Sequence, residues 1–592
     1  MSDAHIHTIE TTVSLSDAAK DNIISWLIHD KYSDYREELR GLIDDEQWLL
    51  LEDSFFRVIP FGTGGRRGTV GIGSNRINKV TLGEAVQALC GYLNEHAPSE
   101  PDAPKQKIAI AYDSRLTSVE FSEYAASICA ANDYEAYLYD NVRSTPQLSL
   151  TVRHLAAQAG IVISASHNPS SDNGIKIYWS DGGQLVPPHD AELLAYGEVV
   201  ETIHTTDYKQ AVDDGSIIII GEVEDKAYHD AVLAKSINPT ARGAVVAFSP
   251  LHGAGFSNVK PVLEKADFDV RVLESQANYD GRFTNVANNI PNPEVPAASD
   301  KVIAYGLEQH CDIALTTDPD ADRLGVVVLH GDSHTFLSGN QIASLLCDYI
   351  LRSRSELGTL DGRQFIGKTI VTTDMLDHIA DSYKVTCRGN LLVGFKYIGE
   401  LIKLYEDQGT EEFVFGGEES FGTLVGSYAR DKDAAGSALL ISELASQLKS
   451  QGKTLVDSLD ELSSQHGVFV EELDNIVLQG AEGFATMKHV MNTLRSSDIT
   501  SIGDFAVHTV RDYLPGKEIE GRSEDVLRFD LSSDSHDRAT VRPSGTEPKL
   551  KIYTQVRVAP DEGSLDETKA AAKQKSEALR AAFNDYINSL IA

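Results

Sequence analysis

The chain has 592 residues, of which 42% are hydrophobic and 24% charged, a balance typical of folded globular proteins. This length exceeds what one hydrophobic core supports and predicts roughly three to five domains of about 100–200 residues each. The net charge of −37 argues against a nucleic-acid partner, because a phosphate backbone needs a clustered basic face. The acidic excess favours a solubility role and leaves a salt-rich habitat open as a second explanation.

The cysteines and the first residues of the chain bear on the cellular compartment. The five cysteines are odd in number and show no CxxC spacing, which argues against a disulfide framework and a thiolate zinc site. The chain starts without a basic segment followed by an apolar one, and no run approaches the ~18 apolar residues of a membrane span. We therefore expect a cytoplasmic protein with no membrane partner.

The first predicted elements are helices followed by α/β units. Apolar positions at helical spacing predict a helical N-terminal extension over residues 14–52 that packs on the body. Short β-rich runs then alternate with helical stretches such as 119–132, which predicts α/β units around mixed or parallel sheets. The predicted strands fall into three groups. The first group is 107–112, 135–139 and 160–163, and the second is 243–248, 270–273 and 312–315. The third group is 368–372, 385–387 and 412–415.

Each group of strands ends in a polar, turn-rich loop. These loops are residues 164–168, 317–323 and 416–422. Ligands gather beyond the carboxyl ends of strands in α/β sheets, so we expect the three loops to face one cleft. The remaining chain predicts a polar helical stretch over 438–471, a strand over 550–558 and a final helix over 565–590.

The first of these loops contains a candidate nucleophile. Ser166 lies on a turn directly after the apolar run 159–163, but a serine alone is a weak signal and needs partners from elsewhere. We expect the adjacent His167 to point away from it, as neighbours on an extended turn do, and to act as a positioning residue. Lys176 follows on the next β-like run, either as a cation or proton-transfer group beside the serine or as a solvent-exposed lysine.

The second loop, with the sequence DPDADR, suits a divalent cation. Asp318, Asp320 and Asp322 alternate on a tight turn, and carboxylate oxygens are the ligands that Mg²⁺ prefers. The glycine and distal glutamate of an EF-hand are missing. A solvated acidic turn is the alternative explanation.

Three further loops carry weaker signals. The sequence RPSGTEPK from Arg542 to Lys549 predicts a phosphate cradle, or else a surface turn with chance basic residues. The sequence GGEESFG at 416–422 offers groups for sugar hydroxyls, or else caps a helix. The glycine-rich stretch 61–68 contains Arg66 and Arg67 but lacks the GK[ST] of a P-loop.

Together these motifs resemble the α-D-phosphohexomutase family, which includes phosphoglucomutase and phosphomannomutase. The resemblance runs in order from about Phe55 to Tyr553, and residues 172–179 are most similar to the long phosphoglucomutase branch, which also contains phosphopentomutases. The resemblance implies an intramolecular phosphotransferase, an isomerase that acts on sugar phosphates. It also implies Mg²⁺ and, for glucose phosphates, glucose 1,6-bisphosphate as activator and intermediate.

The resemblance implies roles for individual residues. It identifies Ser166 as the phosphoserine and a metal ligand, with Asp318, Asp320 and Asp322 as the other ligands. It places Arg67, His167 and Lys176 at the catalytic centre. The residues that it assigns to substrate binding are Arg323, Gly394, Lys396, Glu418, Ser420, Arg430, Lys432, Arg542, Ser544, Gly545 and Thr546.

The chain departs from the family pattern at two places. Some members carry a histidine shortly after the GEES sequence, whereas this chain reads TLVGSYARDK at 423–432, which moves the proposed proton-transfer role to Lys176. Position 66, often apolar in the family, is Arg66, and the sequence offers no role for it.

The implied architecture is α/β, with four domains around a central cleft: three similar α/β domains with mixed sheets and a smaller α+β C-terminal domain. The expected boundaries are a helical extension at 1–53, a phosphoserine domain at 54–215, a metal-binding domain at 216–332, a sugar-binding domain at 333–475 and a phosphate-binding domain at 476–592. The implied activity interconverts glucose 1-phosphate and glucose 6-phosphate. Mannose or pentose phosphates are alternative substrates, a non-catalytic sugar-phosphate sensor is a remote alternative, and a monomer or homodimer is expected.

Overall fold

A computed structural model describes residues 2–60, 65–96, 104–478, 480–519, 522–534, 536–544, 548–560 and 563–591. The chain folds into two compact units. The first unit comprises Met1–Ser236, Val245–His334 and Gly426–Leu439, and the second comprises Ile237–Ala244, Thr335–Val425 and Leu440–Ala592. Within the described ranges, the helices lack an apolar stretch of the length that crossing a lipid bilayer requires.

The first unit begins with four helices, which are α1 (Ser2–Thr11), α2 (Asp17–Ile28), α3 (Arg36–Asp44) and α4 (Trp48–Phe55). Ser16 caps α2, since its Oγ accepts a hydrogen bond from the backbone N–H of Ala19 at 3.2 Å. Trp26 lies at the centre of this bundle, with its ring stacked 4.5 Å from the ring of Tyr32. The same apolar cluster includes Ile72 and Val80, so the bundle packs against the α/β part of the unit.

The first sheet contains six strands, in the order β1-β5-β4-β2-β3-β6. They are β1 (Gly65–Thr69), β2 (Lys107–Tyr112), β3 (Glu135–Tyr139), β4 (Ala159–Ile163), β5 (Asp172–Trp179) and β6 (Ile217–Ile220). The strands β2, β3, β4 and β6 run parallel to one another, while β5 is antiparallel to both β4 and β1. The accompanying helices are α5 (Lys79–His96), α6 (Ser118–Ala131), α7 (Thr145–His154), α8 (His189–Glu198), α9 (Tyr208–Asp213) and α10 (Glu222–Leu233).

The second sheet has five strands, in the order β11-β10-β9-β7-β8. They are β7 (Val245–Ser249), β8 (Asp269–Val272), β9 (Ile313–Thr317), β10 (Leu324–His330) and β11 (Ser333–Phe336), with the helices α11 (Val259–Lys265) and α12 (Asp300–Glu308). Short 3₁₀ turns lie at Asp30–Tyr35, Ala254–Phe256, Glu274–Gln276, Ala287–Asn289 and Pro296–Ser299. The acidic loop connects β9 to the antiparallel β10, so a hairpin positions its carboxylates.

The second unit contains a third α/β sheet, in the order β13-β12-β14-β15. Its strands are β12 (Gln364–Thr369), β13 (Thr386–Leu391), β14 (Glu412–Glu418) and β15 (Gly422–Leu424). The helices of this region of the chain are α13 (Gly339–Glu356), α14 (Met375–Ser382), α15 (Phe395–Gln408), α16 (Ala434–Ser450) and α17 (Leu455–His466).

The C-terminal region has an antiparallel sheet in the order β16-β22-β21-β20-β19. Its strands are β16 (Val468–Val477), β19 (Thr509–Asp512), β20 (Leu527–Asp530), β21 (Arg538–Pro543) and β22 (Lys549–Val558), and β17 (Ser501–Ile502) and β18 (Phe505–Ala506) form a separate small hairpin. Its helices are α18 (Gly480–Ser496) and α19 (Leu565–Ile591). Together with the three α/β sheets, this region confirms the predicted fold class.

Most predicted strands overlap observed ones, although several predictions were wrong at their ends. The predicted helical stretch 438–471 extends into β16, where Phe469 and Glu471 pair along a ladder with β22. The predicted strand 368–372 starts and ends too late, because β12 runs from Gln364 to Thr369. Ile370 and Val371 lie in a loop and are apolar because they pack in a buried cluster with Tyr553.

Candidate active site

Ser166 lies in the loop between β4 and β5 of the first unit, in a left-handed backbone conformation with φ +51°. A non-glycine residue in this region of φ is uncommon and is held there by its surroundings. Here the Ser166 backbone N–H donates to the Oγ of Ser164 at 2.8 Å, and that hydroxyl donates to Asp113 at 2.7 Å. The loop therefore presents the Ser166 hydroxyl from a fixed backbone.

Arg115 supports this loop, a role that the sequence motifs did not predict. Its guanidinium donates to four backbone carbonyls of the loop, those of Ser166 and Asn168 at 2.6 Å, Pro169 at 2.7 Å and Asp172 at 2.8 Å. Its Nε also donates to the buried Asp113 at 3.1 Å. The sequence signal was a DxR pattern, Asp113 to Arg115, directly after β2.

The acidic loop brings three buried carboxylates together. One oxygen from each of Asp318, Asp320 and Asp322 lies within 4.8 Å of the others. The Ser166 hydroxyl donates to Asp318 Oδ2 at 2.7 Å, which joins the first two predicted loops. The turn is held by the backbone N–H groups of Asp322 and Arg323, which both donate to Asp318 Oδ1 at 3.1 Å.

Two lysines neutralise part of this negative charge. The Nζ of Lys176 lies 2.6 Å from Asp320 Oδ2 and 3.3 Å from Asp322 Oδ2. The Nζ of Lys432 lies 2.9 Å from Asp322 Oδ2. Lys176 is therefore buried beside the acidic loop, and the alternative of a solvent-exposed lysine was wrong.

Burial and neighbouring charges set the ionisation of the three aspartates. Burial and the charges of Asp322 and Asp320 raise the pKa of Asp318 well above its ordinary value. Burial also opposes ionisation of the other two, but Lys176 holds the pKa of Asp320 below its ordinary value, and Lys432 and Lys176 do so for Asp322. The loop thus contains carboxylates of unlike proton affinity at one site.

The same charges oppose a role for Lys176 as a base. Burial would lower its pKa, but Asp320 and Asp322 raise the pKa of Lys176 above its ordinary value. A lysine that transfers protons near neutral pH needs a depressed pKa, and Lys176 shows the opposite shift. The structure therefore makes Lys176 a fixed cation.

His167, Arg67 and Arg323 surround the serine and the acidic loop. The Nδ1 of His167 lies 3.2 Å from Ser166 Oγ, so the expectation that the two side chains point apart was wrong, because the left-handed turn at Ser166 is not extended. Burial, with the charges of Arg323 and Arg67, lowers the pKa of His167 well below its ordinary value, which keeps the imidazole neutral. Burial also lowers the pKa of Arg67, against the opposing charge of Asp320. Arg323 pairs with Glu294 and faces Asp322 at 3.8 Å.

Arg66, which had no predicted role, connects β1 to α5. Its Nη1 donates to the backbone carbonyl of Thr81 at 2.5 Å and lies 3.3 Å from Glu84 Oε2. Glu84 also pairs with Lys31 of the N-terminal helices at 3.0 Å. Arg66 thus links the N-terminal bundle to the strand that carries Arg67.

The segment that carries Arg430 and Lys432 belongs to the first unit, although it follows β15 in the chain. Asp431 accepts hydrogen bonds from the Tyr178 hydroxyl at 2.7 Å and from the Gln184 amide at 2.8 Å. The backbone N–H of Arg430 donates to Ser149 Oγ at 2.8 Å. These contacts place Lys432 at the acidic loop.

The second unit contains the predicted sugar loop. Glu418 is buried at the end of β14, and Ser420 lies in the turn before β15. Gly394 precedes α15 with φ +131°, a conformation that only glycine adopts readily. Lys396 is buried in the first turn of α15, with its Nζ 5.2 Å from the centre of the Tyr397 ring.

The predicted phosphate loop follows β21 in the same unit. Arg542 lies near the end of this strand and donates through Nε to Glu524 at 2.7 Å, a partner that the sequence analysis missed. The backbone N–H of Ser544 donates to the carbonyl of Lys549 at 2.7 Å, which closes the turn. Gly545 and Thr546 lie outside the described residues.

Comparison with known proteins identifies the family. Sequence models for α/β/α domains I, II and III of the phosphoglucomutase/phosphomannomutase family match residues 58–201, 226–331 and 338–465. The chain belongs to the phosphoglucomutase/phosphomannomutase family. The predicted family and enzyme class, a phosphohexomutase, are therefore confirmed.

Relatives of known name extend over nearly the whole phosphohexomutase chain. The phosphoglucomutase of Staphylococcus saprophyticus is 31% identical over 586 residues, which cover 96% of this chain and 99% of that protein. The phosphoglucomutase of Staphylococcus aureus is 32% identical over 536 residues, which cover 88% and 93%.

Solved structures show the same fold. Parafusin, a phosphoglucomutase of Paramecium solved in an open form, has a TM-score of 0.63 at 16% identity and covers 88% of this chain and 94% of its own. A phosphoglucomutase/phosphomannomutase family protein of Burkholderia thailandensis has a TM-score of 0.60 at 17% identity, with coverages of 88% and 97%.

The acidic loop of this phosphohexomutase fits a divalent cation. Asp320 Oδ1 and Asp322 Oδ1 are buried, and neither has a hydrogen-bond partner in the part of the chain that the structure describes. Buried carboxylate oxygens without partners are costly, and a hard cation with oxygen ligands satisfies them. The Ser166 oxygen lies next to the same loop, so a fourth oxygen is available from the nucleophile.

Proposed function

We propose that the protein is a phosphoglucomutase that interconverts glucose 1-phosphate and glucose 6-phosphate through a phosphoserine at Ser166. The observation that supports this most directly is the 2.7 Å hydrogen bond from Ser166 Oγ to Asp318, which joins the nucleophile to the acidic loop. The names of the staphylococcal relatives favour glucose phosphates as substrates.

In the proposed reaction, phosphorylated Ser166 donates its phosphoryl group to a hydroxyl of the sugar phosphate and forms glucose 1,6-bisphosphate. The bisphosphate turns around, and Ser166 takes back the phosphoryl group from the other end. Asp318, Asp320 and Asp322 would hold Mg²⁺, which when bound neutralises charge on the transferring group.

The protein's own cations supply the remaining electrostatic stabilisation. Lys176 and Lys432 are held at the acidic loop by Asp320 and Asp322, so their charges are preorganised where phosphoryl charge develops. Neutral His167 orients the Ser166 hydroxyl through the hydrogen bond between its Nδ1 and Ser166 Oγ. In the second unit, we assign Glu418 and Ser420 to the sugar hydroxyls and Arg542 with the Ser544 turn to the non-transferring phosphate.

Turnover and phosphoenzyme mass test the proposal together. The purified protein with Mg²⁺ and a trace of glucose 1,6-bisphosphate should interconvert the two glucose phosphates, and intact mass should show an adduct of about 80 Da for one phosphoryl group. Ser166→Ala should lose both the adduct and nearly all turnover. Ser171→Ala is the matched control, since Ser171 lies in the same loop, is exposed, and donates through its hydroxyl to its neighbour Asp172 at 2.9 Å, while its backbone bond with Val70 survives the substitution.

Two outcomes would contradict the proposal: no turnover of glucose phosphates under these conditions, or an active Ser166→Ala variant. Comparison of kcat/KM for glucose, mannose and ribose phosphates tests the sugar, because each missing or inverted hydroxyl leaves a polar group of the site unpaired.

A further inference from the structure

A buried charged cluster joins the third α/β domain to the C-terminal sheet inside the second unit. We call it the joint, and it comprises Lys368, Asp374, His536, Arg538 and Gln555. Lys368 and Asp374 flank the loop between β12 and α14, whereas His536, Arg538 and Gln555 lie on or next to β21 and β22. The side chains of Lys368, Arg538 and Gln555 are almost fully buried.

Asp374 is the centre of the joint. Its carboxylate pairs with Arg538 and with Lys368, whose Nζ lies 2.5 Å from Oδ1. Gln555 binds Asp374 twice, since its Nε2 donates to Oδ2 at 3.0 Å and its Oε1 accepts the Asp374 backbone N–H at 3.0 Å. His536 Nδ1 adds a contact to Oδ2 at 3.2 Å. A single carboxylate of the third α/β domain therefore contacts three side chains of the C-terminal region.

Apolar packing extends this contact. Ile370 and Val371, from the same β12–α14 loop, pack in one buried cluster with Tyr513, Val526 and Tyr553 of the C-terminal region. Buried apolar area stabilises such a contact without defining its geometry, whereas paired charges fix the register of the two surfaces. The joint therefore specifies which residues of the two surfaces meet in this structure.

The joint also connects the two loops that we assign to substrate. Arg538 donates through Nη2 to the backbone carbonyl of Thr372 at 2.9 Å, and the Thr372 hydroxyl donates to Glu419 of the sugar loop at 3.3 Å. Arg538 begins β21, and Arg542 of the phosphate loop lies four residues later on the same strand. Burial lowers the pKa of Arg542, but Glu524, Tyr553 and, more weakly, Glu419 raise it above its ordinary value, so a charge of the sugar loop acts on the phosphate loop.

We propose that Asp374 is a positioning residue that fixes the spacing between the sugar loop and the phosphate loop. The proposal rests on the function proposed above, in which one sugar phosphate contacts both loops. When two contact sites are held rigidly at the right spacing, the second contact forms at a high effective concentration. Without the joint, each loop still binds its own part of the substrate, but the second contact loses this advantage.

The test compares a ligand that needs both loops with one that needs a single loop. In Asp374→Asn, KM for glucose 1-phosphate should rise about tenfold, whereas the inhibition constant of inorganic phosphate should stay within about twofold of wild type. Gln555→Leu is a milder second variant, because it removes both bonds to Asp374 without leaving a charge unpaired. It should also raise KM for glucose 1-phosphate. If Asp374→Asn does not fold, the result for Gln555→Leu tests the proposal.

Asp474→Asn is the matched control. Asp474 pairs with Arg580 at 2.6 Å inside the C-terminal region and makes no contact with the joint among the hydrogen bonds and ion pairs observed. Its KM for glucose 1-phosphate should equal that of the wild type. The proposal is overturned if a folded joint variant keeps the wild-type KM, or if KM and the phosphate inhibition constant rise together, since that result would mean that the phosphate loop itself is damaged.

Hydrogen exchange separates this proposal from the proposed function. Amides of residues 369–374 should exchange faster in Asp374→Asn and Gln555→Leu than in the wild type and in Asp474→Asn. If wild-type protein shows no turnover of glucose phosphates, the proposed function fails, while this exchange measurement still reports on the joint. Unchanged exchange in both joint variants would overturn the proposal whatever the activity.

Discussion

Replacing Arg115 with lysine should slow catalysis without weakening substrate binding. Arginine reaches four carbonyls of the Ser166 loop and Asp113 at once because its guanidinium is a planar fork with five N–H donors. Lysine keeps the positive charge beside Asp113 but has one nitrogen, which can serve about half of these acceptors. Arg115→Lys therefore tests the fork and not the charge.

The size of the effect follows from the lost bonds. A hydrogen bond from a charged donor contributes about 1.5–3 kcal/mol, so losing two of the four carbonyl bonds weakens the hold on the loop by about 3–6 kcal/mol. A reacting group misplaced by about 1 Å costs about 100-fold in rate. We expect kcat to fall about 100-fold, which equals about 2.7 kcal/mol, while KM stays within about twofold because the hydrogen bonds observed for Arg115 are with Asp113 and the Ser166 loop.

The assay follows glucose 6-phosphate formation from glucose 1-phosphate with a coupled dehydrogenase, alongside thermal unfolding. Arg242→Lys is the matched control. Arg242 also pairs with a buried carboxylate, Glu443 at 3.1 Å, and donates to the carbonyls of Asn238 and Ala241, so the bonds observed for it hold a different segment of the chain. If Arg115→Lys and Arg242→Lys show the same kcat, the proposed support of the nucleophile by Arg115 is refuted.

Three further predictions concern charges at other sites. Asp320→Asn should weaken Mg²⁺ binding, measured by calorimetry, and lower kcat at least about 100-fold, about 2.7 kcal/mol; unchanged Mg²⁺ affinity would contradict the metal assignment. Glu524→Gln should free Arg542 for phosphate and lower the inhibition constant of inorganic phosphate about fivefold, about 1 kcal/mol, and a weaker inhibition would show that Glu524 mainly positions Arg542. Burial raises the pKa of Glu471 to about 7, so the folded state retains a proton that the unfolded state has lost, and stability falls as pH rises from about 4.5 to 7. Glu471→Gln should remove this fall, about 3 kcal/mol, and raise Tm at pH 8 but not at pH 4.5; an equal gain at both pH values would contradict the ionisation argument.

The sequence predicts well what local pattern controls. The strands at 107–112 and 135–139 have the observed bounds, because alternating helical and β-rich runs of strong propensity are bounded by turn residues. Ser166 and the acidic loop were also predicted, since both follow apolar strands directly. Residues 370–372 were wrongly assigned to a strand because Ile370 and Val371 are buried by tertiary packing, which local pattern does not distinguish from a strand.

Side-chain partners from distant parts of the chain were the information that the sequence lacked. Arg115 has only the short DxR pattern and Glu524 has no sequence signature, and their roles appear only when the fold brings them to the Ser166 loop and to Arg542. The pKa of Lys176 is a further example. Its direction depends on Asp320 and Asp322, more than 140 residues away in the chain, at 2.6 and 3.3 Å.

Lys432 reaches the serine site from a segment that follows the third α/β sheet in the sequence. Residues 426–439 follow the third α/β sheet in the sequence but fold into the first unit. Buried tyrosine hydroxyls need partners, and Asp431 and Asp433 accept from Tyr178 and Tyr228 at 2.7 and 2.8 Å. Lys432 lies between these two aspartates, so the same bonds that satisfy the tyrosines carry its ammonium to Asp322. A fragment that ends after β11 would retain Ser166 and all three aspartates but would lack this cation, and its buried Tyr178 and Tyr228 hydroxyls would lose their carboxylate partners.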